Sequence, residues 1–198
     1  MALIMYFNRA PRYDGITAKD IKLVESYYAW KKERALGGSY SCDTLEEWCG
    51  VPESEMPHKY VVNYLLDFMS SKEMYVEGIG ETERDSIFEQ MARIANAPHI
   101  LKWFVDNVMD GKADTEYHEV TGEQLALLLR KCLNIAASAV EDIAKCAKET
   151  LPLPGDVNDE AYDEFYMSKI TEIFDALNSI LNTTDFEKQT IYFNAILV

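Results

Sequence analysis

The side chains best suited to chemistry lie close together near the middle of the chain. His99 and Trp103 stand one helical turn apart, and the polar pair Asp106 and Asn107 follows them. A proline precedes the histidine, and because proline removes an amide donor and breaks or kinks a helix, a break there could expose the imidazole. The rings could stack on a base or a partner side chain, and the polar pair could fix a ligand by hydrogen bonds. The alternative is structural: a core tryptophan, an internally satisfied histidine and a solvated helix end.

A second group of candidates combines tyrosines with acids. Tyr162, Glu164 and Tyr166 lie on the predicted first turn of the C-terminal helix, and Tyr117 precedes a predicted helix start. Carboxylates stabilise a helix N-terminus through the helix dipole, which is a complete structural explanation for them. Paired acids can also do acid–base work, but no nucleophile or metal-ligand set accompanies them. These four side chains are therefore candidates for contacting a ligand or partner.

A local basic patch is formed by Lys31, Lys32 and Arg34, at the end of the predicted first helix. Its structural interpretation is a solvated helix end. Its functional interpretation is a site for an anion or a nucleotide, since ammonium and guanidinium groups bind phosphate.

Motifs of catalysis and metal binding are missing from the sequence. The four cysteines form no CxxC pair and the three histidines are scattered, so we expect free thiols, no metal and no cofactor. There is no phosphate-binding loop, no GxSxG elbow and no HExxH. The sequence therefore predicts no catalytic residue and a protein that is not an enzyme.

The charge is large and unevenly distributed. The chain carries a formal net charge of −15, but residues 1–36 hold seven basic and four acidic side chains. An acidic body repels phosphates, which disfavours direct binding to nucleic acid. Two interpretations remain: a solvated acidic surface, or one that competes with nucleic acid for a basic groove on a partner. No segment reaches the roughly 18 consecutive apolar residues of a membrane span, and the N-terminus does not resemble a signal peptide, so we expect a cytoplasmic protein.

Hydrophobic periodicity and breakers predict mostly helices around these candidates. The predicted elements are a strand at 2–8, helices at 17–36, 43–48 and 57–70, a strand at 73–80, helices at 82–97, 99–109, 121–149 and 162–181, and a strand at 190–198. Thr121 and Gln124 form a predicted capping box. Because exposed terminal strands would be apolar edges, we expect them to pair. The predicted fold is mainly α: a helical bundle with a small antiparallel β-sheet formed by the N- and C-terminal strands. We expect one domain over residues 1–198, the alternative being an N-terminal subdomain at 1–72 and a helical region at 82–198.

A family resemblance rests on motifs from about residue 90 to the C-terminus. The motifs are WFVDNV (103–108), Gly111, Tyr117, VTGEQL (120–125), Leu128-Leu129, Cys132, Leu151-Pro152, YDEFYMSKITEIFDAL (162–177) and the final strand. In these motifs the chain resembles a family of small uncharacterised proteins of tailed phages and prophages. Where that family often has an asparagine and a histidine before the tryptophan, this chain has Pro98 and Leu101. The resemblance implies a phage origin, with any polar site of the relatives lost or rebuilt.

Three functional hypotheses follow. The first is a non-enzymatic phage accessory protein that counters defence in the bacterial cytoplasm by occupying a host immune protein, one that binds nucleic acid through a basic groove. The second is a sponge that binds a nucleotide signal, a class of protein that is often oligomeric. The third is a small enzyme of unknown class. A concave pocket that gathers polar residues near Trp103 would separate them.

Overall fold

The computed structural model describes residues 2–35, 65, 73–76, 80–83, 86–139, 142–155 and 157–198. The chain divides into two compact units. The sheet unit consists of Met1–Ala10 and Gln90–Val198, and the inserted unit of Pro11–Glu89. The expected single domain over residues 1–198, with its alternative subdomain at 1–72, stays a prediction.

The inserted unit contains helix α1 (Ala18–Ala35) and an antiparallel hairpin of β2 (Glu73–Val76) and β3 (Gly80–Glu83). Helix α1 starts as predicted, because the Asp20 carboxylate accepts hydrogen bonds from the Thr17 amide at 2.7 Å and its hydroxyl at 2.6 Å. The predicted helices at 43–48 and 57–70 lie outside the described residues, except for Leu65, which is helical and buried.

The sheet unit is built on a four-stranded antiparallel sheet in the order β4-β1-β6-β5. Its strands are β1 (Leu3–Pro11), β4 (Glu89–Ala95), β5 (His118–Val120) and β6 (Gln189–Leu197). The terminal strands lie side by side in the centre, and Ala2 and Val198 exchange both backbone hydrogen bonds at 2.7 and 2.9 Å. This pairing protects β6, which is buried over most of its length.

Among the described residues, four α-helices accompany this sheet: α2 (Pro98–Asn107), α3 (Gly122–Ala136), α4 (Ile143–Thr150) and α5 (Glu164–Thr183). A short 3₁₀ helix (Asp159–Ala161) precedes α5. The capping box at the start of α3 is confirmed, since the Gln124 amide donates to the Thr121 hydroxyl at 3.2 Å and the Thr121 amide donates to the Gln124 side chain at 2.9 Å. Helix α2 packs on the sheet through Phe104, whose ring stacks on Phe193 at 3.8 Å. Within the described ranges, no helix combines the length and the apolar character of a membrane span.

The predicted mainly helical bundle is wrong; the fold is α+β. Residues 89–95 form a strand rather than the end of a helix, and β5 and the hairpin add strands far from the termini. Met91 and Ile94 are spaced as on a helix, but this segment finds backbone partners in β1, as the Asn96 amide bonded to the Leu3 carbonyl at 2.9 Å shows. A strand is stabilised by partners distant in sequence, so a local period over seven residues is ambiguous.

The predicted long helix at 121–149 is also wrong, because it is broken into α3 and α4. The chain turns back after α3, and the Lys131 ammonium donates to the Thr150 carbonyl at 3.2 Å. In one continuous helix these residues would lie about 28 Å apart along the axis, at 1.5 Å per residue. The break therefore brings the C-terminal end of α4 beside α3.

Candidate functional site

A partly open pocket of about 210 Å³ lies where α2, α3 and the C-terminal end of α4 meet. One face of α2 supplies most of its wall, because residues three and four apart share a side of a helix. The lining residues are His99, Lys102, Trp103, Asp106, Asn107, Lys131, Thr150, Leu151 and Pro152. The four residues that the sequence singled out on this helix are therefore brought together in one concave site.

Helix α2 begins at a proline, and side-chain hydrogen bonds hold its C-terminal end. Pro98 occupies its first turn, where a missing amide proton costs nothing, and so begins the helix instead of kinking a longer one. At the other end, the Asn107 side chain donates to the Trp103 carbonyl at 2.8 Å, and the Gln124 side chain donates to the Asn107 carbonyl at 2.9 Å. The capping box of α3 thus also anchors the end of the helix that lines the pocket.

The pocket wall contains buried ring nitrogens without hydrogen-bond partners. His99 is only 2% exposed and Trp103 only 5%. Among the described residues, the two imidazole nitrogens and the indole nitrogen have no hydrogen-bond partner. More than about nine in ten buried polar groups are paired in proteins, and an unpaired one costs about 1–3 kcal/mol. Two such rings one turn apart on a pocket wall are therefore unusual.

The imidazole is neutral at physiological pH. Burial lowers the pKa of His99 from 6.5 to about 4, because the charged form is poorly solvated there. A neutral imidazole offers one N–H donor and one acceptor, and an indole offers one donor. Together they can serve a bound molecule with complementary polar atoms. The helix begins at Pro98 and buries the ring against α5, so the proline does not expose this histidine.

Tyr166 holds the imidazole from behind. Its ring centroid lies 4.5 Å from that of His99, and its hydroxyl donates to the Leu151 carbonyl at 2.8 Å. Burial raises the pKa of the Tyr166 phenol, so it keeps the proton that it donates. Tyr166 therefore fixes two elements of the wall without lining the pocket.

The charged groups of the pocket are two ammonium groups and one carboxylate. Lys102 and Asp106 form an ion pair at 2.6 Å, with their side chains 41% and 50% exposed. Lys131 is half-buried and bonds only to the neutral Thr150 carbonyl among the described residues. The pocket thus carries an excess of positive charge in a chain with 34 acidic and 19 basic side chains.

The remaining candidates lie elsewhere. Tyr162 is buried and its hydroxyl accepts a hydrogen bond from the Leu153 amide at 3.2 Å, whereas Glu164 is exposed at the start of α5. Tyr117 is half-buried just before β5. None of the three lines the pocket. The basic patch of Lys31, Lys32 and Arg34 has its backbone in α1, but its side chains lie outside the described part of the structure.

Sequence reasoning missed five lining residues: Lys102, Lys131, Thr150, Leu151 and Pro152. Lys102 could have been found, since it shares the helical face of the predicted residues and stands four positions before Asp106. Lys131 and the residues at the end of α4 carry no such signal, because only the turn between α3 and α4 brings them to α2.

Cysteine and metal chemistry adds no second site among the residues that the structure describes. Cys132 and Cys146 are free thiols, and burial raises the pKa of Cys132 to about 12. The predicted thiols Cys42 and Cys49 lie outside the described residues. No three His, Cys, Asp or Glu side chains converge as a metal site would require, within the part of the chain that is described.

No family model, no curated protein and no solved structure matches this chain. The resemblance to phage proteins therefore stays a prediction.

Proposed function

We propose that this protein binds a small polar molecule in the pocket between α2, α3 and α4. The observation that carries the proposal is the pair of buried rings, His99 and Trp103, whose nitrogens have no partner among the described residues. Binding sites are concave and combine apolar walls with a few polar groups that orient the ligand. The volume of about 210 Å³ suits a small molecule rather than a polymer.

The unpaired nitrogens favour a ligand with hydrogen-bonding atoms. An orphaned donor destabilises the free protein, and a bound acceptor would offset that cost, so the same groups weaken the free state and strengthen the complex. The terminal torsion of a histidine ring has no steep staggered preference. A change of this torsion that turned a ring nitrogen towards the pocket would make that nitrogen available to a ligand. This is the second of the functions indicated by the sequence, a small-molecule binder, with the ligand defined by chemistry.

A fragment screen tests the proposal. We expect polar fragments to bind the protein in ligand-observed NMR, and His99→Phe to weaken that binding about tenfold, the equivalent of one hydrogen bond of roughly 1.4 kcal/mol. Phenylalanine keeps the ring against Tyr166 but removes both nitrogens. The matched control is His118→Phe, since His118 bonds to Asp114 at 2.7 Å outside the pocket. The proposal fails if no fragment binds, or if the two variants lose affinity equally.

A basic partner protein is the second candidate, favoured by the net charge of −15. Four exposed acids, Asp159, Glu160, Asp163 and Glu164, lie within six residues at the start of α5. In this proposal the protein acts in the bacterial cytoplasm as a phage-encoded inhibitor that occupies the basic groove of a nucleic-acid-binding defence protein. Such binding weakens with salt, because exposed charges are screened.

Capture from host lysate tests this second candidate. We expect a host protein to be retained at low salt, released by added salt and displaced by duplex DNA. The double variant Glu160→Gln and Glu164→Gln should reduce retention severalfold. It spares Asp163, whose side chain caps the Tyr166 amide at 3.0 Å. Retention that is indifferent to salt, DNA and both substitutions rules this candidate out.

A further inference from the structure

We infer that the pocket recognises an oxyanion, the carboxylate or phosphate group of a small molecule, and that Asp106 competes with this group for Lys102. The inference rests on the proposed function, and it names the chemistry of the ligand. It is carried by the charges of the lining side chains together with the buried N–H donors behind them.

The local charge opposes that of the chain. Among the lining side chains, Lys102 and Lys131 are cationic and Asp106 alone is anionic. The whole chain has 34 acidic and 19 basic residues, so a positive pocket is not what its composition would produce at random. Within a concave site the low-dielectric walls concentrate the field of such charges. An anion is therefore attracted to this pocket although the net charge of the chain is −15.

Lys131 provides a cation with donors to spare. It is half-buried, and its only partner among the described residues is the neutral Thr150 carbonyl at 3.2 Å. An ammonium has three N–H donors, so two of them remain for a ligand. Because a partly desolvated charge is stabilised by a counter-charge, an oxyanion is the ligand group that satisfies Lys131 best.

Lys102 is held in a bond that a ligand can replace. Its ion pair with Asp106 spans one helical turn at 2.6 Å, and both side chains are substantially exposed. Exposed ion pairs of this kind contribute little to stability, so an incoming oxyanion can take the place of the carboxylate at a small cost in free energy. Asp106 thus lowers the affinity of the pocket for anions, by occupying Lys102 and by repelling them.

The buried rings complete the recognition. An indole N–H and a neutral imidazole N–H are donors that suit an oxygen acceptor, and neither requires a counter-ion of its own. Donors without charge add hydrogen bonds to an anion already attracted by the two ammonium groups. The same set offers a cationic ligand one carboxylate, that of Asp106, and otherwise only uncharged groups such as the Asn107 and Thr150 side-chain oxygens.

Three probes of similar size test the inference by calorimetry at low salt: benzoate, phenyl phosphate and the neutral benzamide. We expect at least one anion to bind about tenfold more tightly than benzamide, the effect of one charge-assisted hydrogen bond. Benzoate binding more tightly than phenyl phosphate assigns a carboxylate, and the reverse assigns a phosphate. Both results support the inference.

Two substitutions should move the anion affinity in opposite directions. Lys131→Met keeps the aliphatic stem and should weaken the tighter anion about tenfold. Asp106→Asn is nearly isosteric and frees Lys102, so it should strengthen the binding of that anion up to about fivefold. Lys145→Met, at an exposed position of α4 outside the pocket, is the matched control and should leave affinity unchanged. Circular dichroism and thermal melts of each variant report its folding.

The outcomes separate the inference from the proposed function. If polar fragments bind in a His99-dependent manner but benzamide matches the anions, or if Asp106→Asn does not strengthen anion binding, the oxyanion inference is overturned and the binding function stands. If neither the fragments nor the three probes bind, both are overturned.

Discussion

Acidification from pH 7 to below pH 4 is expected to remove about 3 kcal/mol of the free energy of unfolding through His99 alone. Burial holds the pKa of its imidazole at about 4 in the folded protein, against 6.5 for an unburied histidine. Between these values the unfolded state binds the proton and the folded state does not, so the free energy of unfolding falls as the pH falls. The 2.5-unit difference corresponds to about 3 kcal/mol, at about 1.4 kcal/mol per unit.

Denaturant unfolding of the wild type and of His99→Phe at pH 7, 5.5 and 4 measures this effect. At pH 7 the variant should be equally stable or up to about 2 kcal/mol more stable, because it removes unpaired buried nitrogens. Its advantage should grow by about 3 kcal/mol towards pH 4, since phenylalanine does not titrate. Carboxylates titrate in both proteins and cancel from the difference. Parallel loss of stability in the two proteins would contradict the prediction, and His118→Phe controls for loss of an exposed histidine.

Removal of the ring at Phe104 is expected to lower the free energy of unfolding by about 4 kcal/mol. The side chain is fully buried and stacks on Phe193 at 3.8 Å, with Phe7 and Trp103 at 5.5 and 5.0 Å. Phe104→Ala therefore leaves a cavity between α2 and the sheet, where loss of aromatic contact adds to loss of buried area. Since α2 supplies five of the pocket residues, ligand affinity should fall with stability.

Thermal and denaturant unfolding compare Phe104→Ala with a substitution of identical chemistry on the surface. Phe165→Ala on α5 is the control, because this ring is 57% exposed. We expect a loss of roughly 10 °C in Tm for the core variant and little change for the surface variant. Similar losses at the two positions would mean that α2 is not held on the sheet by this aromatic contact.

The parts of the fold that the sequence predicted correctly depend on neighbouring residues. Both predicted helix starts depend on hydrogen bonds between residues three positions apart, in the pairs Thr17–Asp20 and Thr121–Gln124. Each start can therefore be recognised from four consecutive residues. The terminal strands were found from short apolar runs. The residues of β4 were predicted as helix because β4 pairs with β1, which lies about 80 positions or more away in the sequence. A short window of sequence does not contain both strands.

The part of the candidate site that was predicted correctly also depends on residues close together in the sequence. His99, Trp103, Asp106 and Asn107 share one face of a single helix, so spacing alone grouped them. Their state was not predicted: the imidazole that a helix break could have exposed is buried against Tyr166. Burial depends on what packs over a residue, and that information lies on α5, more than 60 residues away.

The acidic charge, the helix starts and the polar face of α2 follow directly from the amino-acid sequence, because each depends on composition or on residues within one or two turns. Packing between distant segments makes β4 a strand, folds α3 and α4 back on each other, and places Lys131 and Thr150 beside that polar face, where they close the pocket. Those outcomes require contacts between distant segments, whose free energy exists only once the chain has brought them together. The pocket therefore exists only in the folded chain, although the residues of its α2 wall lie within nine consecutive positions, 99–107.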